Sequence, residues 1–277
     1  MYTLTLAPDI RIHAFQTGTV SIKQEHYRYS GLGLLRIPMI LWGRTWTPDF
    51  PIWVWALETP QGTFLIDTGE TPAFFDPDHF GTNTADAFVN RSILTLKVSE
   101  ADRIDNQLRQ AGILPANIDA VLMTHLHIDH TDGLCFFPHS EVIISRTDWE
   151  RPYGAPVSSF PAGLKPRLIT YPDDTPLGPG CRIAEGLFVV PTPGHTLGHQ
   201  SVVFQHGDEL FMFAGDSAFS EAQMLRGEVG GISLSPRMAR DTQARLRMWS
   251  REHRLIYLPS HDPDSATRLM QRQTTRS

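Results

Sequence analysis

Residues 124–130 read Thr-His-Leu-His-Ile-Asp-His, a run that places three imidazoles and one carboxylate side by side. Neutral imidazole nitrogen and carboxylate oxygen are ligands that zinc and its first-row neighbours accept. A packed core does not require such a run, because a buried polar group without a partner costs free energy. The run therefore predicts a metal site.

Three further loops repeat this arrangement, in which a potential ligand follows an apolar strand. A buried strand predicted over 118–123 leads into the histidine run, and other predicted strands precede His195, Asp216 and His261. Sites in α/β folds usually lie on such loops. The seven candidate ligands are His125, His127, Asp129, His130, His195, Asp216 and His261. One tetrahedral ion uses fewer, so the set suits two ions that share a bridging carboxylate.

The remaining sequence predicts strands and helices in alternation. Residues 52–57 and 63–67 read as paired strands joined by a turn. A helix that begins after Ser99 ends at Gly112, and a longer helix begins at Ser235, with Pro236 in its first turn. Residues 71–98 and 151–181 are expected to be loops.

The composition is that of an ordinary globular protein, with 277 residues, 41% of them hydrophobic and 19% charged. We expect one domain over residues 1–277, with an N-terminal extension of about residues 1–50. The net charge of −6 argues against a nucleic-acid partner. No run reaches the length of a membrane span and no leader begins the sequence, so we expect a cytoplasmic protein.

The other histidines and the two cysteines are not part of any such ligand motif at the end of a predicted strand. Cys135 follows the histidine run and is a potential ligand or nucleophile, but we expect both it and Cys181 to be small buried thiols. Six histidines are expected to have no role in the site: His13, His26, His79, His139, His206 and His253.

The motifs resemble those of the metallo-β-lactamase-fold superfamily. The matching segments are Leu-Ile-Asp-Thr-Gly (65–69), the run at 124–130, Thr-Pro-Gly-His-Thr-Leu-Gly-His (192–199), Ala-Gly-Asp (214–216) and Pro-Ser-His-Asp (259–262). The resemblance implies an α/β protein, an αβ/βα four-layer sandwich with the site at one edge of two packed sheets. It also implies that Asp67 supports the site by hydrogen bonds and that His199 lies just behind the ligands.

The resemblance assigns the ligands to two divalent ions. It implies that the first ion is held by His125, His127 and His195. It implies that the second is held by Asp129, His130 and His261, with Asp216 bridging the two. Zinc is the expected metal, with iron, cobalt and manganese as alternatives.

Such a site predicts hydrolysis by hydroxide attack on a carbonyl or phosphoryl group, since a metal lowers the pKa of its bound water to about 7. Asp129 is the candidate catalytic residue, as a ligand that also carries protons. The absence of a Gly-x-Ser-x-Gly motif fits a reaction without a covalent intermediate. A redox protein and a metal-binding regulator are the non-hydrolytic alternatives.

Within the superfamily the sequence is most similar to the quorum-quenching N-acyl-homoserine lactonases. The shared features are the long segment before the histidine run, residues 192–201, residues 215–219 and Ser-His-Asp at 260–262. The resemblance implies an enzyme that opens a lactone ring, with another ester, thioester or phosphoester as the alternative small-molecule substrate. Many relatives are dimers, so a homodimer is an alternative to a monomer.

One position departs from the lactonase pattern. Lactonases commonly place a tyrosine three residues after the bridging aspartate, where this sequence has Phe219. Tyr27, Tyr29 and Tyr153 are candidates to supply the missing hydroxyl.

The segment before the histidine run is rich in aromatic residues that could line an apolar groove for an acyl chain. They are Trp42, Trp46, Phe50, Trp53 and Trp55. Trp53 and Trp55 lie two apart on one predicted strand face, and we expect them in the core.

Overall fold

The computed structural model describes residues 1–29, 35–76, 78–80, 84–154 and 160–276, with the side chains of 84–87 excluded. The strands in this part are β1 (Tyr2–Ala7), β2 (Ile10–Ile22), β3 (Phe50–Thr59), β4 (Gly62–Ile66), β5 (Leu94–Lys97), β6 (Ala120–Leu122), β7 (Glu141–Ser145), β8 (Arg167–Ile169), β9 (Asp173–Thr175), β10 (Gly178–Ala184), β11 (Leu187–Pro191), β12 (Gln200–His206), β13 (Glu209–Gly215) and β14 (Arg254–Pro259). The helices are α1 (Gln24–Tyr27), α2 (Arg36–Trp42), α3 (Thr84–Ile93), α4 (Ile104–Gln110), α5 (Ile128–Thr131), α6 (Arg146–Glu150), α7 (Glu221–Arg226), α8 (Pro236–Glu252) and α9 (Ser265–Gln271).

The strands form two sheets. The first has the order β1-β2-β3-β4-β6-β7-β8, with β5 paired to β2, and the second has the order β14-β13-β12-β11-β10-β9. Strands β4, β6 and β7 are parallel. Strands β11, β13 and β14 also run in one direction, because β12 is antiparallel to both β11 and β13. The strands that precede the candidate ligands therefore end at a common edge.

The alternation of side chains along β3 shows how the layers pack. Trp53 and Trp55 lie between the two sheets, where the Trp55 ring is 5.5 Å from that of Phe213. Val54 and Ala56 point the other way and pack in the cluster that contains α4. Successive strand residues face opposite sides, so one strand contributes to two cores. The predicted core position of the two tryptophans is confirmed.

The outer face of the second sheet is covered by α7 and α8. Leu246 and Trp249 of α8 pack against the strand residues of that face. Ser235 caps α8 by accepting a hydrogen bond from the Met238 amide, and Pro236 occupies its first turn, as the sequence predicts. Helices outside both sheets give the predicted αβ/βα four-layer sandwich, which is confirmed.

Several elements differ from the sequence-based expectation. The predicted loop at 71–98 contains α3 and β5, and the loop at 151–181 contains β8, β9 and the start of β10. These strands are only three to seven residues long, so local periodicity marks them weakly. Strands β5 and β8 pair with the distant strands β2 and β7, whereas β9 pairs with its neighbour β10. Residues 77, 81–83 and 155–159 of these two segments lie outside the described part.

Strands β1 and β2, in the N-terminal segment, belong to the first sheet, where β2 pairs with β3. One cysteine differs from the prediction. Cys181 is buried, but Cys135 is exposed, so the prediction of two buried thiols is wrong for Cys135. It lies on the 3-10 turn Asp132–Phe136, whose outer side faces solvent. Among the described helices, none combines the length and apolar character needed to cross a bilayer.

Candidate metal centre

The seven predicted ligands converge at the edge where their strands end. The loop after β6 carries His125 and His127 and continues into α5, which carries Asp129 and His130. The loops after β11, β13 and β14 bring the other three candidates, His195, Asp216 and His261. Three overlapping groups of these residues have potential ligand atoms that all lie within 4.8 Å of one another.

The first group consists of three histidines whose ring nitrogens point at a common centre. His127 Nδ1 lies 3.0 Å from His125 Nε2 and 2.8 Å from His195 Nε2. This is the set that the resemblance implies for the first ion. Three imidazole nitrogens with an open position suit a catalytic zinc.

The second group contains Asp129, His130 and His261. His261 Nε2 lies 3.3 Å from Asp129 Oδ2, and His130 Nε2 lies 3.9 Å from Asp129 Oδ1. This is the set that the resemblance implies for the second ion.

Asp216 lies between the two groups and presents a different oxygen to each. Its Oδ2 is 3.4 Å from His195 Nε2 in the first group. Its Oδ1 is 3.4 Å from His130 Nε2 and 3.3 Å from His261 Nε2 in the second. This placement is the one that a carboxylate bridging two ions requires.

Buried polar atoms that lack a hydrogen bond within the protein indicate whether these residues fit two metal ions. His130 Nε2 and Asp216 Oδ1 are buried and have no hydrogen-bond partner among the described residues. Buried polar atoms without partners are uncommon, because desolvation costs free energy. Two divalent cations would satisfy these atoms and the converging histidine nitrogens, so the donor set fits the implied metals.

Hydrogen bonds behind the ligands fix which histidine nitrogen faces the centre. His261 Nδ1 donates to the Pro51 carbonyl at 2.9 Å, and a carbonyl can only accept, so Nε2 is directed inward. His130 Nδ1 is 2.8 Å from Asp67 Oδ2 and is held in the same way. Partners of this kind orient metal-binding histidines in proteins.

Asp67 is the main support beneath the site. Its carboxylate accepts hydrogen bonds from the Thr124 amide and the Thr124 hydroxyl, both at 2.8 Å, as well as the contact from His130. Asp67 has φ 57°, a left-handed conformation that non-glycine residues adopt at a cost. These bonds connect the loops after β4 and β6 and confirm the predicted supporting role.

His199 supports the bridging aspartate from behind. Its Nε2 accepts a hydrogen bond from the Asp216 amide at 3.0 Å, and its Nδ1 is 2.9 Å from the Thr192 hydroxyl. The preceding Gly215 has φ 53°, and a Cβ there would lie 2.7 Å from His199 Nε2. Glycine is therefore required for this close approach. The predicted position of His199 behind the ligands is confirmed.

The protein groups shift the pKa values of the two histidine sets in opposite directions. Burial lowers the pKa of His125 and His195, and that of His127 to about 4, so these rings are neutral. Burial alone would also lower the pKa of His261, but Asp216 and Asp129 raise it to about 10. The pKa of His130 is likewise raised by Asp67, Asp129 and Asp216 against the effect of burial.

Metal binding is expected to release about two protons at neutral pH, because His130 and His261 must lose theirs to offer Nε2 to an ion. Their pKa values are raised, so the apparent metal affinity should fall as the pH is lowered. Calorimetry in two buffers of different ionisation enthalpy measures the released protons. His261→Gln should release about one fewer proton, and binding without any proton release in the wild type would contradict the prediction.

A cavity of about 430 Å³ opens onto the ligands. Five of the candidate ligands line it: His127, Asp129, His195, Asp216 and His261. The rest of the lining is largely apolar and includes Val20, Ile22, Ile37, Ile40, Phe50 and Ile93. Among the described residues that line the cavity there is no lysine or arginine. The volume and lining are those of a site for a small, mainly apolar ligand.

Of the aromatic residues predicted to line a groove, some lie on the wall of this cavity and others do not. Phe50 lines it, but Trp42 and Trp46 do not. Trp42 is 78% exposed, and the Trp46 ring packs under the Lys23 ammonium, 3.9 Å from the ring centroid. The suggestion that these two tryptophans line the groove is therefore wrong. Aliphatic residues of α2 line the cavity instead. Ile37 and Ile40 are three residues apart on this helix and therefore lie on the same face.

The three tyrosines predicted as possible sources of the hydroxyl missing at Phe219 differ in their position relative to the cavity. Tyr153 lines the cavity, whereas Tyr27 packs its ring against Phe219 at 5.8 Å without lining it. Tyr29 is not among the lining residues described. His26, one of the histidines predicted to have no role in the site, lies on the wall instead. No motif surrounds it, so only its three-dimensional position identifies it.

This chain is similar to known proteins across all of the ligand-bearing loops. A family model described as the metallo-beta-lactamase superfamily matches residues 47–261. An N-acyl homoserine lactonase from Bacillus thuringiensis is 27% identical over 217 residues, which cover 77% of this chain and 82% of that relative.

Two solved structures have the same fold. An N-acyl homoserine lactone hydrolase with the product N-hexanoyl-L-homoserine at its catalytic metal center has a TM-score of 0.75 at 21% identity, covering 92% of this chain and 94% of that one. A dizinc quorum-quenching lactonase in complex with the same kind of product has a TM-score of 0.66 at 14% identity, covering 94% and 90%.

Proposed function

Because this chain belongs to the metallo-β-lactamase superfamily, we propose that it is a dinuclear-metal hydrolase that opens the ring of a lactone. An N-acyl-homoserine lactone is the leading substrate class, since relatives with that activity match most of the chain. The observation that carries the proposal is Asp216, whose two oxygens face two separate groups of ligands beside an apolar cavity.

The ligand groups define where the ions would bind. His125, His127 and His195 would hold one ion, and Asp129, His130 and His261 the other, with Asp216 between them. Two divalent ions, which we propose to be zinc, would polarise the ester carbonyl and make water acidic enough to supply a nucleophile at neutral pH. The chain itself orients these groups through Asp67, Pro51 and His199.

Asp129 is the proposed catalytic residue. Its carboxylate is partly exposed, with 15% of the side chain accessible, and it lines the cavity where substrate would enter. The other two carboxylates near the ligands, Asp67 and Asp216, are almost completely buried. We propose that Asp129 accepts the proton of the attacking water and returns a proton to the oxygen that leaves when the ring opens.

The cavity wall favours an uncharged ester over a phosphoester. An anionic substrate is usually held by arginine or lysine side chains, and the described cavity residues include neither. Isoleucine, valine and phenylalanine instead offer apolar contacts to an acyl chain. The cytoplasmic location and a homodimer remain predictions of the sequence.

The test is turnover by the zinc-loaded protein of three substrates at equal concentration: N-hexanoyl-homoserine lactone, an acyl thioester and a bis-aryl phosphate. The lactone is expected to have a kcat/KM at least about tenfold above those of the other two substrates. This ratio corresponds to about 1.4 kcal/mol of additional transition-state binding. The protein stripped by a chelator and reloaded provides the control. A lactone rate no faster than the thioester and phosphate rates would refute the proposal.

A further inference from the structure

Asp148 is a buried carboxylate that lies outside the three groups of ligand atoms. It belongs to the short helix α6 and is only 3% exposed. Burial raises the pKa of its carboxyl, and hydrogen bonds from Thr196 and Gly198 oppose that shift. Burying a carboxylate costs free energy unless hydrogen bonds compensate for the lost water. The partners of Asp148 therefore indicate what this side chain does.

The two carboxylate oxygens of Asp148 hold the loop that carries His195. Oδ2 accepts a hydrogen bond from the Thr196 hydroxyl at 2.6 Å, and Oδ1 accepts one from the Gly198 amide at 2.7 Å. A Cβ at Gly198 would lie 2.5 Å from the Asp148 amide nitrogen, closer than packed atoms approach. The main chain of this loop thus lies directly against the start of α6.

The ring of His195 depends on its main chain for its direction. His130 and His261 are each held through Nδ1 by a group outside the ligand set. Within the described part of the chain, the polar contacts of the His195 ring are with His127 and Asp216, which are themselves candidate ligands. The contacts that fix the His195 main chain therefore decide whether its Nε2 meets the first ion.

Helix α6 also leads to a second histidine of the first ligand group. Residues 152–154 follow the helix and line the cavity. Gly154 has φ 70°, and a Cβ there would lie 2.9 Å from His127 Cδ2. The first group is thus supported from α6 and the turn after it, whereas the second group is supported by Asp67 and Pro51.

We propose that Asp148 is a positioning residue, which holds the loop after β11 so that His195 can bind the first ion. This inference rests on the proposed assignment of the ligand groups to two ions. The role is geometric. An asparagine would keep both bonds, since its oxygen can accept from the Gly198 amide and its NH₂ can donate to the Thr196 hydroxyl. An alanine would leave two buried donors without their acceptor.

Transfer of zinc from the loaded protein to a chromophoric chelator measures how tightly each ion is bound. Asp148→Ala is expected to weaken the first ion about 10–100-fold, the usual effect of removing a group that orients a metal ligand. Asp148→Asn should retain most of the wild-type affinity. Thr196→Val removes only the hydroxyl and should weaken the same ion to a smaller extent, which tests the role even if Asp148→Ala does not fold.

Two ligand variants identify which ion is affected, because each leaves the other ion with a complete histidine set. In His261→Ala the first ion is the tighter one, and adding Asp148→Ala should weaken it by the same 10–100-fold, approximately. In His195→Ala the second ion is the tighter one. Adding Asp148→Ala there should change its affinity by less than about twofold, as expected of independent sites.

Asp105→Ala is the matched control for a general loss of stability. Asp105 is also 3% exposed, but it lies on α4 and outside the ligand groups, where it pairs with Arg103 and Arg109. This variant should lower the melting temperature and leave zinc affinity unchanged. Unchanged zinc binding in Asp148→Ala, an equal weakening of both ions, or an asparagine variant as weak as the alanine variant would each overturn the role of Asp148.

The readout is independent of lactone turnover. A wild type that binds two zinc ions and opens no lactone would refute the proposed substrate and leave the role of Asp148 to the chelator experiment. A wild type that binds one ion would refute the two-ion assignment. In that case Asp148→Ala and His195→Ala should both weaken the single ion, and a loss in only one of the two variants would overturn the inference.

Discussion

Asp216→Asn is expected to lower turnover by on the order of 10²–10³-fold and to reduce the bound metal from two ions toward one. The aspartate presents Oδ2 to the first ligand group and Oδ1 to the second. An asparagine of the same shape has one oxygen, so it serves one group and directs an amide nitrogen at the other. The lost negative charge also leaves two cations close together with less compensation.

Metal analysis and turnover of the zinc-loaded variant, measured on the same preparation, test this expectation. Asp241→Asn is the matched control, because Asp241 is exposed on α8 and lies outside the ligand groups. The control should keep both ions and the full rate. If Asp216→Asn also keeps both, Asp216 does not bridge two ions and the ligand assignment is wrong.

Asp67→Ala is expected to reduce the free energy of unfolding by about 3 kcal/mol, the size of effect seen when one partner is removed from a buried charged network. The carboxylate is 2% exposed and accepts hydrogen bonds from the Thr124 amide, the Thr124 hydroxyl and His130. Without it, three buried donors lose their acceptor. His130 would also lose the partner that orients its Nε2, so affinity for the second ion should fall roughly 10–100-fold.

Urea unfolding of the chelator-treated protein measures the first effect, and zinc titration measures the second. Asp208→Ala is the control, since the Asp208 side chain is 80% exposed and its ion pair with Arg254 is on the surface. A surface substitution of this kind should change stability by less than about 0.5 kcal/mol. Full stability together with unchanged zinc affinity in Asp67→Ala would show that the support is dispensable.

The convergence of the candidate ligands was predictable because each one lies within a few residues of a strong local signal. An apolar strand precedes His125, His195, Asp216 and His261, and strand ends in one sheet meet at one edge when the strands run the same way. The resemblance to the superfamily then supplied the pairing of ligands with ions. Two of the three clusters of ligand atoms contain the same residues as the two implied sets, and the third combines His125, His130 and Asp216.

Other features depended on contacts between residues far apart in the chain. The short strand β5 pairs with β2 across more than seventy residues, so no local pattern marks it. Trp42 and Trp53 are both tryptophans of the same segment, yet one is 78% exposed and the other 4%. The difference follows from which neighbours cover each ring, and composition does not contain that information.

The sequence by itself determined the chemistry available to this protein, because donor type and spacing along the chain favour metal binding. The tertiary structure alone decided how that chemistry is presented: which oxygen of Asp216 faces which histidines, and which apolar side chains line the cavity beside them. The direction in which a side chain points, and the residues that surround it, depend on packing between elements that are distant in sequence. Such packing exists only in the folded molecule.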